Sequence, residues 1–147
     1  MNRGLWLGVC AALAATALWA GCGGIRVKDD TPDGLLDSLL QLIRAGQYDR
    51  AAELFDYNQE ALKKNPDWYT FSSTQRYEIV EKMREDRALM LSDWARRQDG
   101  LEQMTTKLLR VRGDTASGSI IAGDREKVRV KMRKVEDKWR LSDFHPL

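Results

Sequence analysis

The stretch "VRVKMRKVEDKWRLSDF", residues 128–144, decides the fold class of this chain. From Val128 to Arg133, apolar and basic residues alternate one by one. A period of two predicts a β-strand with one buried face and one solvated face. Glu136-Asp137 then predicts a turn, and the strand pattern resumes at Trp139. The stretch therefore predicts a β-hairpin.

Two further turn signals lie upstream of this hairpin. Gly113-Asp114 and Gly123-Asp124 are residue pairs that favour tight turns. The three turns separate four predicted strands, near residues 103–112, 115–122, 126–135 and 138–144. Strands joined by such short connections predict an antiparallel meander.

Helical patterns precede the strands. "TPDGLLDSLLQLIRAG", residues 31–46, combines a capping Thr31 with leucines at spacings of three and four, until Gly46 ends the helix. A second, shorter helix is predicted from about Asp49 to Phe55. A third runs from Thr74 to about Gln98, where Ser72 and Gln75 match a capping box. Helices followed by a meander predict an α+β domain, with helices packed on one face of a curved antiparallel sheet.

The amino terminus has the layout of an export signal. Arg3 precedes an uncharged run, residues 5–20, that is shorter than the roughly 20 residues needed to span a bilayer. "LWAGCGG", residues 18–24, then ends the run with glycines and a cysteine. We therefore predict that this segment is cleaved.

The end of this run resembles the lipobox of bacterial lipoproteins. Ala20, Gly21 and Cys22 match its two small residues and cysteine, whereas Trp19 occupies the aliphatic position and Leu18 lies one place further back. The resemblance implies cleavage between Gly21 and Cys22, a diacylglycerol thioether on Cys22, and a fatty acyl group such as palmitate on the new amino terminus. The alternatives are an uncleaved anchor and a plain secreted protein.

Three segments follow from this interpretation. Residues 1–21 form a lipoprotein signal peptide, residues 22–30 carry the lipid and a flexible tether, and residues 31–147 form a single α+β domain. Cys10 lies in the signal, so the mature chain would have no thiol for a disulfide, a metal site or a nucleophile.

The predicted location depends on the host. By resemblance to lipoprotein sorting, Gly23 in place of Asp implies delivery to an outer membrane, facing the periplasm, in a bacterium with two membranes. With one membrane, the lipid-anchored domain would face the outside of the cell.

The full chain has a formal net charge of only +2, and nucleic acid is not an expected partner.

The order of helices and strands resembles the nuclear transport factor 2-like superfamily, whose domains are α+β cones of the cystatin-like type. The likeness rests on "TPDGLLDSLLQLIRAGQYDRAAELF", residues 31–55, and on the closing hairpin, residues 128–144. It implies that helices and the concave sheet face enclose a cavity, in which the enzymes of the superfamily place Asp, His or Tyr. Another helix-plus-meander fold remains the alternative.

Catalytic and metal-binding signatures are scarce. His145, the sole histidine, lies three residues from the end and is expected on the surface. We predict no catalytic residue, no metal ligand and no cofactor.

Two groups of residues are candidates for binding. The first is a set of aromatic residues that could line a pocket or simply fill the core. These are Trp68, Tyr69, Phe71, Trp94 and Trp139. The second is a basic stripe that could contact anionic headgroups or an acidic partner, or form a solvated outer face. It comprises Lys127, Arg129, Lys131 and Arg133, to which Lys138 and Arg140 could add.

Three functions remain open at this point. The first, which we favour, is a lipid-anchored, non-catalytic module that binds a protein or small ligand at the cell envelope. The second is a cavity enzyme of the isomerase or dehydratase type, which needs a buried carboxylate with a raised pKa near Tyr48, Tyr57, Tyr69 or Tyr77. The third is a structural subunit of an envelope complex.

Overall fold

A computed structural model describes residues 24–147 of the chain. The predicted signal peptide, its cleavage site at Gly21 and Cys22 itself lie outside these described residues. The described part consists of helices followed by a four-stranded antiparallel sheet, which confirms the α+β class. Among its helices, none has the length and apolar character needed to cross a membrane.

The three predicted helices and four predicted strands occur in the predicted order, and one further helix, α3, lies between the second and third predicted helices. The helices are α1 (Pro32–Arg44), α2 (Tyr48–Ala52), α3 (Tyr57–Lys64) and α4 (Ser73–Arg96). The strands are β1 (Thr105–Arg112), β2 (Thr115–Ala122), β3 (Arg125–Val135) and β4 (Lys138–Pro146). Short 3-10 helices cover Trp68–Thr70 and Leu101–Gln103, so β1 begins two residues later than its predicted start.

The predicted helix caps are present. The Thr31 side chain accepts a hydrogen bond from the backbone N–H of Gly34 at 3.2 Å. At the start of α4, the Ser72 hydroxyl accepts from the Gln75 N–H, and the Gln75 side chain accepts from the Ser72 N–H. This reciprocal pair satisfies two amide groups that the first turn of a helix leaves free.

The sheet is a meander with strand order β1-β2-β3-β4. Each predicted turn connects two neighbouring strands through two residues, and Glu136 and Asp137 both take positive φ angles, 48° and 63°. Two successive residues at positive φ match the tight hairpin turns whose twist suits β-strands. Short connections and regular alternation therefore set the register of this sheet.

The core lies between α1 and one face of the sheet, here called the inner face. This face includes Ile120 on β2, Val128 and Val130 on β3, and Leu141 on β4, all fully buried. The buried leucines of α1 belong to the same apolar cluster. Burial of this apolar surface is the main stabilising contribution to such a domain.

Gly118 lies where α1 comes closest to β2. A Cβ at this position would lie 2.5 Å from Leu36 Cδ2 and 3.0 Å from the Lys107 carbonyl oxygen. We expect Gly118→Ala to lower the free energy of unfolding by about 1–3 kcal/mol, because the buried Leu36 side chain has to shift within a packed core. Urea unfolding would measure the loss, with Ser117→Ala as a neighbouring control expected to change stability by less than about 0.5 kcal/mol. Equal stability of the two variants would contradict this close approach.

The second predicted helix ends earlier than expected. α2 stops at Ala52, and the chain then runs beside the outer edge of β4. The Leu141 N–H donates to the Leu54 carbonyl, and the Asp56 N–H donates to the Leu141 carbonyl, both at 2.8 Å. Phe55 is therefore in a short parallel bridge instead of a helix.

α4 is less amphipathic than its sequence suggested. Leu91 and Trp94 are buried as predicted, but Tyr77 is 65% exposed. The four-residue spacings of Glu78 with Lys82 and of Asp93 with Arg97 predict two helical ion pairs, and both predictions are wrong. Instead, Lys82 lies 3.7 Å from Asp86, and Arg96 pairs with Asp93.

The segment before α1 is attached to the domain. Residues 25–29, called the N-terminal strap, place Ile25 and Val27 against the core. The Arg50 guanidinium donates to the Ile25 carbonyl at 2.7 Å, and the Trp139 N–H donates to the Asp29 carbonyl at 2.7 Å. We expected a flexible tether up to residue 30, so the specific contacts of the domain begin earlier than predicted.

Candidate functional site

The face of the sheet opposite α1, here called the outer face, carries basic residues on two strands. Arg110 on β1 is opposite Ser117 on β2, which in turn is opposite Lys131 on β3. Residues opposite each other in adjacent strands present their side chains on the same face. A small hydroxyl side chain therefore lies between two long cationic ones, in neighbouring strands spaced about 4.8 Å apart.

A second row has the same composition one step further along the strands. Arg112 is opposite Thr115, and Thr115 is opposite Arg133. The two rows together form a shallow floor of hydroxyl-bearing residues between cationic walls. The β-bulge between Leu108 and Arg110 sets the register of the β1 wall.

α3 closes this floor on one side and turns it into a groove of about 660 Å³. Six cationic side chains and two carboxylates are among the residues lining this cationic groove. The cations are Lys63, Arg110, Arg112, Lys131, Arg133 and Lys134, and the acids are Asp114 and Asp143. A concave site with walls of one charge concentrates its field on a ligand of the opposite charge.

Several of these cations form no ion pair, although Asp143 on β4 is opposite Lys131 across the sheet. Within residues 24–147, neither Arg110, Arg112 nor Lys131 lies within 4.0 Å of an acidic side chain. Arg133 is paired with Asp56 at 3.4 Å, so it contributes less free charge to the groove. Arg110, Arg112 and Lys131 are thus the groups best placed to hold an anion.

The predicted basic stripe is divided by the structure. Lys131 and Arg133 line the cationic groove, whereas Arg129 is held by Glu126 at 2.5 Å and Lys127 lies in a β-bulge with no residue opposite it. Hydrogen bonds from Arg129 and from Ser119 lower the pKa of Glu126. Arg129 therefore forms an ion pair with Glu126 on its own strand.

Lys138 and Arg140, which could have extended the stripe, share one carboxylate. Asp29 of the N-terminal strap lies 2.9 Å from Lys138 Nζ and 3.7 Å from Arg140 Nη1. The groove gains its second wall from β1 instead. That wall was missed, because "TTKLLRVR" alternates too poorly to show which residues share a face.

The predicted aromatic residues do not form one pocket. Trp68, Trp94 and Trp139 are buried at 3%, 3% and 5% exposure, whereas Tyr69 is 74% exposed. Trp94 packs edge-on against Phe144 with ring centroids 5.5 Å apart. Phe71 is half-buried and packs edge-on against Trp68 at 6.1 Å. The buried rings therefore fill the core at separate places, which was the alternative to a shared pocket.

The enzyme hypothesis required a buried acid near a tyrosine. Burial raises the pKa of the Tyr57 hydroxyl, which donates a hydrogen bond to the Ala52 carbonyl at 2.5 Å. Asp56, next to Tyr57 in sequence, is largely buried but is paired with Arg133 at 3.4 Å. Glu60, whose charge acts on Tyr57, is only partly buried. Burial there acts to raise the pKa of Glu60, but hydrogen bonds and charges from Lys64 and Arg87 outweigh it and lower the pKa. Glu60 therefore lacks the raised pKa that the enzyme hypothesis requires, and the Tyr57 hydroxyl is held in its protonated form.

Potential metal ligands do not cluster in residues 24–147. This part of the chain holds no cluster of three or more His, Cys, Asp or Glu side chains suited to a metal ion. His145 is exposed near the end of β4, opposite Arg129. No protein-family model, no curated protein and no solved structure matches the chain at a significant level.

Proposed function

We propose that this protein is a lipid-anchored cell-envelope protein whose α+β domain binds an anionic protein segment or small ligand without catalysing a reaction. The observation that carries the binding role is the cationic groove, in which Arg110, Arg112 and Lys131 form no ion pair within 4.0 Å among the described residues. Like charges held close together lower the stability of the folded state by mutual repulsion. Binding of an anion relieves this repulsion.

The anchoring role is carried by Cys22 and its lipobox-like context. In a bacterium with two membranes, we propose that the domain faces the periplasm from the outer membrane. In a bacterium with one membrane, it faces the cell exterior. Either location supplies a ligand from the envelope and not from the cytoplasm.

The fold family is part of the same proposal. Helices followed by a bulged antiparallel meander support a nuclear transport factor 2-like cone. The site proposed here lies on the outer face of the sheet, whereas the resemblance implies a cavity between the helices and the sheet. The binding surface is therefore argued from the charges of this chain and not from the superfamily.

Binding in the groove is tested with a fluorescent peptide of eight glutamates and an uncharged glutamine peptide of the same length. We expect the glutamate peptide to bind and the glutamine peptide not to bind, with anisotropy as the measurement. Combining Arg110→Gln with Lys131→Gln should weaken binding about tenfold or more, since a hydrogen bond to a charged group contributes about 1.5–3 kcal/mol. Added salt should weaken binding to the wild-type chain.

Arg125→Gln is the matched control. Arg125 is an exposed cation on β3 that does not line the groove, so its replacement removes one positive charge from the strand that carries Lys131. We expect its affinity to stay within about twofold of the wild-type value, because distant exposed charges are largely screened by salt. If Arg125→Gln weakens binding as much as the double variant, the effect comes from overall charge and the groove is not the site.

A further inference from the structure

A second cluster of arginines lies beside the N-terminal strap. A pocket of about 390 Å³ is lined there by Arg50 of α2, Arg84 of α4 and Arg140 of β4. Val27 and Asp29 of the strap line the same pocket, together with Glu53 and Leu54. This arginine pocket shares none of its residues with the cationic groove.

The positive charge of the arginine pocket is only partly neutralised. Arg50 donates to two neutral acceptors, Gln47 Oε1 and the Ile25 carbonyl, both at 2.7 Å. Arg140 shares the single carboxylate of Asp29 with Lys138, which lies closer to it. Lys138 and Arg140 therefore share the one carboxylate of Asp29. Arg50 has no carboxylate within 4.0 Å among the described residues.

Arg84 provides a second, independent observation. Its Nη1 is paired with Glu81, but its Nε is buried and finds no hydrogen-bond acceptor in residues 24–147. A buried guanidinium nitrogen without an acceptor is costly, and guanidinium groups match the oxygens of a phosphate in a two-point geometry. The local chemistry thus favours a phosphate group as the ligand.

The position of the pocket on the chain indicates where that phosphate comes from. Three peptide units separate Cys22 from Ile25, which limits the distance between their Cα atoms to about 11 Å. The Ile25 carbonyl is itself bound to Arg50. If Cys22 carries a lipid, the arginine pocket is therefore held within reach of the headgroup layer, which is about 6 Å thick on each side of the bilayer.

We propose that the arginine pocket binds the phosphate of an anionic phospholipid headgroup and so fixes the orientation of the domain on the membrane. The placement at the bilayer rests on the proposed lipidation of Cys22, whereas the pocket itself rests on Arg50, Arg84 and Arg140. A headgroup phosphate binds at these guanidinium groups, and the half-buried Val27 lies beside the start of its acyl chains. The lipid on Cys22 and this pocket give the domain two points of attachment.

The test measures the thermal midpoint of the full chain in detergent, by circular dichroism, with soluble short-chain lipids. We expect dihexanoyl phosphatidylglycerol to raise the midpoint by about 5 °C, since a ligand that binds only the folded state stabilises it. Dihexanoyl phosphatidylcholine and inorganic phosphate should each raise it by less than about 1 °C, because one lacks net charge and the other lacks acyl chains. A rise with inorganic phosphate equal to that with phosphatidylglycerol would overturn the headgroup as the source.

Variants separate the arginine pocket from general charge effects. Arg84→Gln and Arg140→Gln should each abolish the rise, and their midpoints without lipid report whether they fold. Arg96→Gln is the matched control, because Arg96 also lies on α4 and also pairs with an acid three residues before it. A rise that persists in both Arg84→Gln and Arg140→Gln would overturn the proposal.

The proposed lipidation of Cys22 and the proposed lipid binding at the arginine pocket can be contradicted independently of each other. Intact mass of the same preparation reports whether Cys22 carries a lipid, and the short-chain lipid titration needs no anchor. An unmodified chain that still responds to phosphatidylglycerol would contradict the lipidation of Cys22 and support the pocket. A lipidated chain with no response would contradict the pocket alone.

Discussion

Cys22→Ala is expected to abolish signal cleavage and lipid attachment and to remove the domain from its lipid anchor. The thioether to Cys22 is the step on which the remaining processing depends in the lipoproteins that residues 18–24 resemble. Each buried methylene of an acyl chain contributes about 0.8 kcal/mol to membrane binding, so two or more chains anchor firmly. Intact mass and membrane fractionation of the natively expressed chain would measure both effects.

Cys10→Ala is the matched control for this experiment. Cys10 lies inside the predicted signal peptide, so its loss should leave the mature mass and the membrane fraction unchanged. If the wild-type chain and Cys22→Ala are both unmodified, uncleaved and membrane-bound, residues 5–20 are a retained anchor. That result would contradict the lipoprotein interpretation.

Trp94→Ala is expected to lower the free energy of unfolding by about 3–5 kcal/mol, the usual cost of truncating a buried tryptophan. Trp94 is 3% exposed and packs against Phe144, so it ties the end of α4 to the last strand. Domains of this size are stable by only about 5–15 kcal/mol, so the loss is a large part of the total. Urea unfolding of the full chain, followed by circular dichroism, would measure it.

Tyr69→Ala serves as the comparison for Trp94. Tyr69 belongs to the same predicted aromatic set but is 74% exposed, so its removal should change stability by less than about 0.5 kcal/mol. A loss below about 1 kcal/mol for Trp94→Ala would mean that its ring does not fill the core. Trp94 would then return as a candidate for a ligand pocket.

The sheet could be predicted from the sequence because its signals are local. Two-residue turns such as Glu136-Asp137 and strict alternation in β3 each specify structure within a few residues. α3 could not be predicted in this way. Of its eight residues only Tyr57 and Ala61 are buried, so it has no apolar stripe, and it is stabilised partly by the Asp56 cap and a contact from Arg87 to Glu60.

The candidate site depended on information that the sequence does not carry locally. Lys131 could be recognised as a basic residue on an exposed strand face, but its neighbours across the sheet depend on register. Arg110 lies on the outer face only because of the bulge after Leu108, and no residue pattern in β1 predicts that bulge. The N-terminal strap was missed for a similar reason, since Asp29 meets Lys138 across a long sequence separation.

Amide chemical-shift mapping of the lipidated chain in detergent micelles, titrated with the glutamate peptide, is the most direct test of the binding role. The account predicts that the shifts concentrate on the residues of the cationic groove, with Ser117 and Lys131 among the largest, and that Arg125 stays unchanged. Shifts that concentrate elsewhere, or that scatter over all exposed lysines and arginines, would contradict the groove as the ligand site.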